Sequence, residues 1–140
     1  MADWKWFAIG SAFFAGLTAL FAKIGVRDIS SNLATLIRTI VIIVFLGLLV
    51  GIRKEWENPL LLDRKCLVFL ILSGIATGLS WLCYYRALKT GPASLVSPID
   101  KLSLFFAVIL AVLFLGERLN MYQWIGTFMI LAGTLVVLIK

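Results

Sequence analysis

Three charged residues lie well inside long apolar stretches of this chain, away from the ends of the stretches, where a charge is most unexpected. Arg38 falls about six residues into the stretch Leu33–Ile52, and Asp100 and Lys101 fall about eight residues into the stretch Ala93–Leu115. A charge inside an apolar helix costs about 2.5–3.5 kcal/mol on insertion scales, so such residues commonly mark ion or substrate pathways. Asp100 is the only acid inside any apolar stretch. These three residues are therefore the first candidates for a functional site.

Two interpretations of Asp100 are open. In the first, its carboxylate responds to a proton or a cation, and its charge is exchanged during a transport cycle. In the second, Asp100 forms a static ion pair with Arg38 or Lys101 that only neutralises charge. At 1.5 Å per residue all three charges lie about 8–12 Å deep, so we expect helices two and four to bring Arg38 and Asp100 together. Asp100 and Lys101 are about 100° apart on an ideal helix, so we expect them to face different directions.

Proline, hydroxyl and aromatic residues accompany these charges. Pro98 removes a backbone hydrogen bond, so we expect a bend whose freed carbonyls line a cavity, although proline is also ordinary in membrane helices. In the stretch Cys66–Leu88, four polar side chains recur at spacings of four, three and four and share one face. They suit an amphipathic organic solute, and they equally suit hydrogen bonding between helices. The predicted substrate or ion pathway comprises Arg38, Asp100, Lys101, Ser73, Thr77, Ser80, Trp81, Tyr84, Ser97 and Pro98.

Catalytic and metal-binding chemistry has little support in the composition. The chain has no histidine, which removes the commonest metal ligand and general base. Its two cysteines, Cys66 and Cys83, lie 17 residues apart in one apolar stretch and fit no metal-ligand pattern. No glycine-rich phosphate loop and no nucleophile–base pair is visible. We therefore expect no enzyme activity, no cofactor and no metal.

Five apolar stretches supply the helices that position the candidate residues. With 62% hydrophobic residues and a mean hydropathy of +1.06, the composition excludes a soluble domain. A hydrocarbon core about 30 Å thick requires a helix of about 20 residues. We expect an all-α integral membrane protein, one domain over residues 1–140, with five transmembrane helices and short loops. The predicted helices are Trp6–Ala22, Leu33–Ile52, Cys66–Leu88, Ala93–Leu115 and Met121–Ile139.

Two short polar segments predict helix boundaries. Ser30-Ser31-Asn32 offers side-chain oxygens that can cap the second helix. Thr90-Gly91-Pro92 predicts a sharp end of the third helix and an immediate start of the fourth.

Lysine and arginine residues near the helix ends predict the orientation. Cytoplasmic loops carry an excess of these residues, so the N-terminus is expected in the cytoplasm of a bacterial-type inner (cell) membrane. The net charge of +6 also comes from lysine and arginine residues in the loops. No basic patch interleaves with aromatic residues, so we expect no nucleic-acid partner. The balance is six against five, which permits insertion in both directions. The two sets are Lys5, Arg53, Lys54, Arg64, Lys65 and Arg118, against Lys23, Arg27, Arg86, Lys89 and Lys140.

Several short motifs follow one another along the second half of the chain. Tyr84-Tyr85-Arg86-Ala87-Leu88 closes the third helix with the pattern Tyr-x-Ala-Leu, and Pro98 lies early in the fourth. Gly116-Glu117-Arg118 follows the fourth helix, and Gln123–Gly126, with Gly133, lies in the fifth. This order and spacing resembles the EamA-type fold of the drug/metabolite transporter superfamily. Many members of that family also carry a basic residue at the position of Arg38.

The resemblance implies a fold and a function. Such transporters usually contain ten helices as two inverted five-helix repeats, and this chain resembles one repeat, one half of an inverted-repeat transporter. The implied function is a small secondary transporter that moves a small metabolite across the membrane by alternating access. A single repeat needs a partner of opposite orientation, so we expect a second five-helix chain in an antiparallel homodimer, with a separate inverted partner protein as the alternative. The other expected partners are a small-molecule solute, with proton or cation coupling open, and membrane lipids.

Two other functions are open. Lys23, Arg38, Arg86 and Lys101 concentrate toward one side, which suits a protein that moves an anionic lipid headgroup. An accessory membrane subunit without transport activity is the third hypothesis.

Overall fold

A computed structural model describes residues 3–58 and 62–139 of the chain as helices with short connections. No strand occurs within these ranges. Lys140, one of the residues counted for the orientation, lies outside them. The helices are α1 (Asp3–Gly25), α2 (Ser31–Arg53), α3 (Arg64–Thr90), α4 (Ala93–Asp100), α5 (Leu102–Leu110), a π-helical turn (Ala111–Leu115) and α6 (Met121–Val136).

Four apolar helical runs are long enough to cross a membrane. They are Trp4–Gly25, α2, α3 and the run Ala93–Leu115, which comprises α4, α5 and the π-helical turn. This agrees with an all-α, multi-pass integral membrane protein. The fifth apolar helix, α6, has 16 residues. At 1.5 Å per residue it is about 24 Å long, which is less than the hydrocarbon thickness.

The end of α6 differs from the prediction. The sequence predicts a helix to Ile139, but α6 ends at Val136. The backbone N–H groups of Leu138 and Ile139 donate to the carbonyls of Leu135 and Val136, each at 3.0 Å. These i→i−3 hydrogen bonds are the tighter turns that commonly close an α-helix. The described residues therefore contain four helices long enough to cross a membrane and one shorter apolar helix, rather than the predicted five transmembrane helices.

The chain divides into two compact units, Met1–Thr90 and Gly91–Lys140. In the first unit, α3 packs against both α1 and α2. In the second unit, α6 packs against α4 and α5. The interpretation of residues 1–140 as a single domain stays a prediction.

The core of the first unit lies at the end where α1 and α3 finish and α2 begins. Val26 and Leu88 are fully buried there. The other buried apolar residues are mostly alanines of α1 and α2, whose small side chains let helices approach closely. They are Ala19, Ala22 and Ala34, together with Tyr85 of α3. Toward the opposite end, the large apolar side chains of all three helices are exposed, as expected for surface that meets lipid.

Two lysines tie this same end together. Lys23 Nζ donates to the carbonyl oxygen of Leu88 at 2.5 Å, and Lys89 Nζ donates to that of Ile29 at 2.6 Å. Carbonyl groups in the last helical turn lack a partner within the helix, so an ammonium group nearby stabilises them. Both lysines therefore link α3 to α1 or to the connection that follows it.

The two helix boundaries that were predicted from short polar segments are confirmed. Ser30 caps α2, and the N–H of Leu33 donates to Ser30 Oγ at 3.2 Å. α3 ends at Thr90 and α4 begins directly after Pro92. A capping box at the start of α6 was not predicted, although the Asn-x-x-Gln spacing carries it. There the N–H of Gln123 donates to Asn120 Oδ1 at 2.9 Å, and the N–H of Asn120 donates to Gln123 Oε1 at 2.8 Å.

Gly116 ends the π-helical turn in the left-handed backbone region, with φ 66 and ψ 23. A side chain at such a position costs about 1 kcal/mol. We therefore expect Gly116→Ala to lower the thermal unfolding midpoint of the purified protein. Gly10→Ala in α1 is the matched control, because an added Cβ there meets no atom within 4 Å. Equal losses in the two variants would contradict a requirement for glycine at residue 116.

Candidate functional site

Arg38 lies about seven residues into α2 and stacks on two aromatic side chains of α3. Its Cζ is 4.1 Å from the ring centre of Trp81 and 5.8 Å from that of Tyr85. The negative face of an aromatic ring attracts a guanidinium, by about 0.5–2 kcal/mol depending on solvation. Trp81, Tyr85 and Leu88 recur at spacings of four and three and so share one face of α3. We call the two rings the aromatic ledge.

The guanidinium of Arg38 keeps its hydrogen-bond donors available within the first unit. No carboxylate or other acceptor of residues 3–58 and 62–90 pairs with it. Stacking uses the face of the guanidinium, whereas its five N–H donors lie in its plane. Among the described residues, no buried side-chain nitrogen or oxygen lacks a hydrogen-bond partner. The nitrogens of Arg38 that have no partner are therefore accessible. Arg38 is therefore half-buried, held by aromatic contacts and open to a further partner.

An open cavity of about 410 Å³ adjoins Arg38. We call it the Arg38 cavity. The second half of α1, the first half of α2 and Tyr85 line it, and its wall is apolar at Phe21, Ile37 and Val41. Thr18 is among the few residues that can add a polar group. An apolar cavity with few converging polar groups is the common form of a small-molecule site.

The predicted hydroxyl stripe of α3 does not line this cavity. Ser73, Thr77 and Ser80 are exposed, and Tyr84 is half-buried. Thr77 Oγ1 donates to the carbonyl oxygen of Ser73 at 2.8 Å, a hydrogen bond within its own helix. Trp81 is the one member of the predicted α3 group that contacts Arg38.

Tyr85 was not among the predicted pathway residues. It is buried, contacts the guanidinium of Arg38 and lines the Arg38 cavity. The sequence contains the pattern that identifies it, since Tyr85 lies four residues after Trp81 and three before Leu88. That apolar and aromatic face is the one that α3 turns toward its neighbours.

Asp100 and Lys101 form an ion pair in the second unit. Lys101 Nζ is 3.7 Å from Asp100 Oδ2, and the side chains of Lys101 and Asp100 are 49% and 35% exposed. This is one of the two ion pairs that the sequence left open for Asp100. That the two residues face different directions stays a prediction. Lys101 lies between α4 and α5 with backbone angles in the right-handed helical region, φ −69 and ψ −9, so the angular step from Asp100 stays close to that of a helix. The long lysine side chain reaches back to the carboxylate.

The fourth apolar run is interrupted at Lys101, three residues after Pro98, and a bend at Pro98 itself stays a prediction. The N–H of Lys101 donates to the carbonyl oxygen of Pro98, and the N–H of Leu104 donates to that of Lys101, each at 3.0 Å. These i→i−3 hydrogen bonds tighten the chain between α4 and α5.

Three predicted residues meet at a second cavity beside this break. Ser97, Pro98 and Lys101 line a cavity of about 480 Å³, which we call the Pro98 cavity. Its opposite wall comes from α6, where the hydroxyl of buried Thr134 donates to the carbonyl oxygen of Ile130 at 2.9 Å. The cavity is mostly apolar, with the ammonium of Lys101 as its charged group.

Arg38 and Asp100 lie at matching positions along their own helices. Each follows the first residue of its helix, α2 or α4, by about seven residues, which is about 10 Å at 1.5 Å per residue. The depth of the two residues in the membrane stays a prediction. Because the two residues belong to different units, a contact between them stays a prediction.

Metal ligands are not grouped in the part of the chain that the structure describes. No cluster of three or more His, Cys, Asp or Glu side chains occurs among residues 3–58 and 62–139. Cys66 and Cys83 are exposed and unpaired with each other.

Comparisons with known proteins give one family. The model of the EamA-like transporter family matches residues 4–139. The chain is 49% identical over 134 residues to a Sinorhizobium protein named an uncharacterized transporter in the cobO 3' region, covering 96% of this chain and 95% of that protein. It is 32% identical over 130 residues to an uncharacterized protein of Methanocaldococcus jannaschii, covering 92% and 91%. No solved structure matches the chain.

Proposed function

This chain belongs to the EamA-like transporter family, and we propose that it is a small secondary transporter that moves a metabolite by alternating access. The observation that carries the proposal is Arg38, a charged residue within an apolar helix that borders an open cavity. Such residues are expensive in a membrane and typically face a pathway. The family is one of transporters, which points away from an enzyme role.

We further propose that two copies of oppositely oriented five-helix halves form the working unit. The two relatives are matched over 95% and 91% of their own lengths, so the similarity extends over nearly all of each of them. Opposed repeats around a midplane site are a recurrent architecture for secondary transporters. The near balance of lysine and arginine, six against five, supports insertion in both directions.

In this proposal, α6 and the turn that follows it to Ile139 form the fifth span. The N-terminus of one copy faces the cytoplasm of a bacterial-type inner membrane, and that of the other copy faces the opposite side. An antiparallel pair presents one Arg38 cavity toward each half of the membrane.

Asp100 supplies the coupling step in this proposal. One state has the observed ion pair with Lys101, at 3.7 Å. In the other state Asp100 leaves Lys101 and binds Arg38, a proton or a cation. A ligand drives such a change only if it favours one state over the other. A proton or a cation at Asp100 would do so by replacing Lys101 as the partner of the carboxylate.

An anionic lipid headgroup is the second candidate cargo. Lys23, Arg27 and Lys89 line a further cavity of about 350 Å³ in the first unit. This cavity supports a lipid headgroup less strongly than the Arg38 cavity supports a small metabolite, because Lys23 and Lys89 already donate to backbone carbonyls.

Reconstitution into liposomes separates the three hypotheses. A transporter should take up labelled small metabolites saturably from a panel of neutral, anionic and cationic compounds. Movement of fluorescent lipid between leaflets without any solute uptake would favour lipid translocation. Neither activity, together with a protein that copurifies at fixed stoichiometry, would favour an accessory subunit.

A further inference from the structure

We propose that the Arg38 cavity binds a small organic monoanion, whose charged group pairs with the guanidinium and whose hydrocarbon body lies against the apolar wall. This inference rests on the proposed transport function, and it names the class of solute. It follows from the charge and the size of the site and from the aromatic contacts of Arg38.

The charge of the site selects an anion. Arg38 is the charged residue among those lining the cavity, and no acid in the described part of the first unit pairs with it. A carboxylate entering the cavity gains charge-assisted hydrogen bonds to N–H groups that stacking leaves available. A cation would be repelled by the guanidinium, and a neutral group would gain weaker hydrogen bonds.

The wall of the cavity selects a single charge and a hydrocarbon body. Phe21, Ile37 and Val41 offer no hydrogen bond to a second anionic group. A dianion would therefore keep one charge desolvated and unpaired, which is costly in apolar surroundings. A volume of about 410 Å³ accommodates a single ring or a short branched chain beside the charged group. Inorganic phosphate, which has no hydrocarbon body, fits this wall poorly.

The aromatic ledge favours a position of the guanidinium over the two rings. Its Cζ is 4.1 Å from the ring centre of Trp81 and 5.8 Å from that of Tyr85, contacts that stabilise this position before a ligand arrives. The plane of the guanidinium presents two parallel N–H donors, which match the two oxygens of a carboxylate. Lysine keeps the charge but has neither the planar fork nor the same stacking, so Arg38→Lys should only partly replace arginine.

Binding of three matched probes to the purified wild-type protein tests the selectivity. Benzoate, benzamide and benzylamine share one ring and differ in charge. In nanodiscs of phosphatidylcholine, calorimetry should show benzoate binding at least about tenfold more tightly than either other probe. Equal or tighter binding of benzamide or benzylamine would overturn the inference, and this result does not depend on any variant folding.

Variants then assign the selectivity to Arg38. Arg38→Gln should weaken benzoate binding by about 10- to 100-fold, and Arg38→Lys by a smaller factor. Arg64→Gln is the matched control, because Arg64 lies at the other end of α3, is exposed and does not line the cavity. The benzoate affinity of this variant should stay within about twofold of the wild type. Unchanged benzoate affinity in both Arg38 variants would overturn the assignment.

The source of the anion is distinguished by the lipid. If phosphatidylglycerol added to the nanodiscs displaces benzoate competitively, the monoanion is a lipid headgroup. If it does not displace benzoate, the monoanion is a free solute. Either result supports an anion-binding site at Arg38. Uptake of neutral or cationic solutes without benzoate binding would overturn this inference and leave transport standing. Benzoate binding that depends on Arg38, without uptake of any solute, would refute transport and leave the site standing.

Discussion

Arg38→Gln should reduce the uptake of the transported solute into proteoliposomes by about 10- to 100-fold. The substitution removes charge-assisted hydrogen bonds to the solute, which contribute about 1.5–3 kcal/mol. It also removes the positive charge that rests on the aromatic ledge at 4.1 Å from Trp81. Glutamine still fits beside the ring, so the packing of α2 on α3 is retained. The initial rate at equal protein content measures the effect.

Two further variants make this result specific to Arg38. Arg38→Lys should transport at an intermediate rate, because it keeps the charge and loses the planar donors. Arg53→Gln is the control at the opposite end of α2, where Arg53 forms an exposed ion pair with Glu55 at 3.9 Å. We expect its rate to match the wild type, since exposed ion pairs contribute little. Wild-type uptake by Arg38→Gln would exclude Arg38 from the pathway.

Asp100→Asn should reduce the same uptake by about 100-fold, which corresponds to about 2.7 kcal/mol at 1.36 kcal/mol per factor of ten. Asparagine is nearly the same size as aspartate but cannot exchange a proton or attract a cation. The substitution therefore removes a carboxylate that changes partners during the cycle. It leaves Pro98 and the interruption at Lys101 unchanged. Initial uptake rates of the two proteins measure the change.

The double variant Asp100→Asn, Lys101→Met separates partner exchange from a static pair. If the pair only neutralises charge, removing both charges together should restore uptake. Partner exchange predicts that uptake stays low. Because the two side chains are 35% and 49% exposed, we expect thermal stability to change by less than about 1 kcal/mol in each variant. Glu55→Gln, which breaks the other described ion pair, is the control and should transport normally.

The sequence predicts the helices well because apolar runs and capping residues act locally. Ser30 and the segment Thr90-Gly91-Pro92 determine where α2 begins and where α3 ends. Pro98 predicts a disturbance of the fourth span, because a missing N–H removes a helical hydrogen bond whatever the neighbouring helices are. The interruption lies at Lys101, three residues later. The end of α6 at Val136 was missed, because hydropathy continues to Ile139 while the hydrogen bonding tightens.

The candidate site is predicted less completely, because its geometry depends on which helical faces meet. The charge inside α2 is visible in the sequence, but its aromatic partners on α3 require the packing of two helices. The hydroxyl stripe at Ser73 and Thr77 is a regular pattern, yet a neighbouring face of α3 carries the contact with Arg38. For Asp100 the sequence left Arg38 and Lys101 open as partners, and the choice depends on side-chain reach rather than on helical spacing; the structure has the pair with Lys101 at 3.7 Å.

Labelling of the chain ends from both sides of the membrane tests the antiparallel transporter most directly. Single cysteines replace Asp3 or Ile139, which leaves the lysine and arginine balance unchanged, in a background in which Cys66 and Cys83 are serines. Intact cells are treated with a maleimide that does not cross the membrane. An antiparallel homodimer predicts that each site is labelled from outside in about half of the molecules. Complete labelling of one site and none of the other would show one fixed orientation and contradict the homodimer.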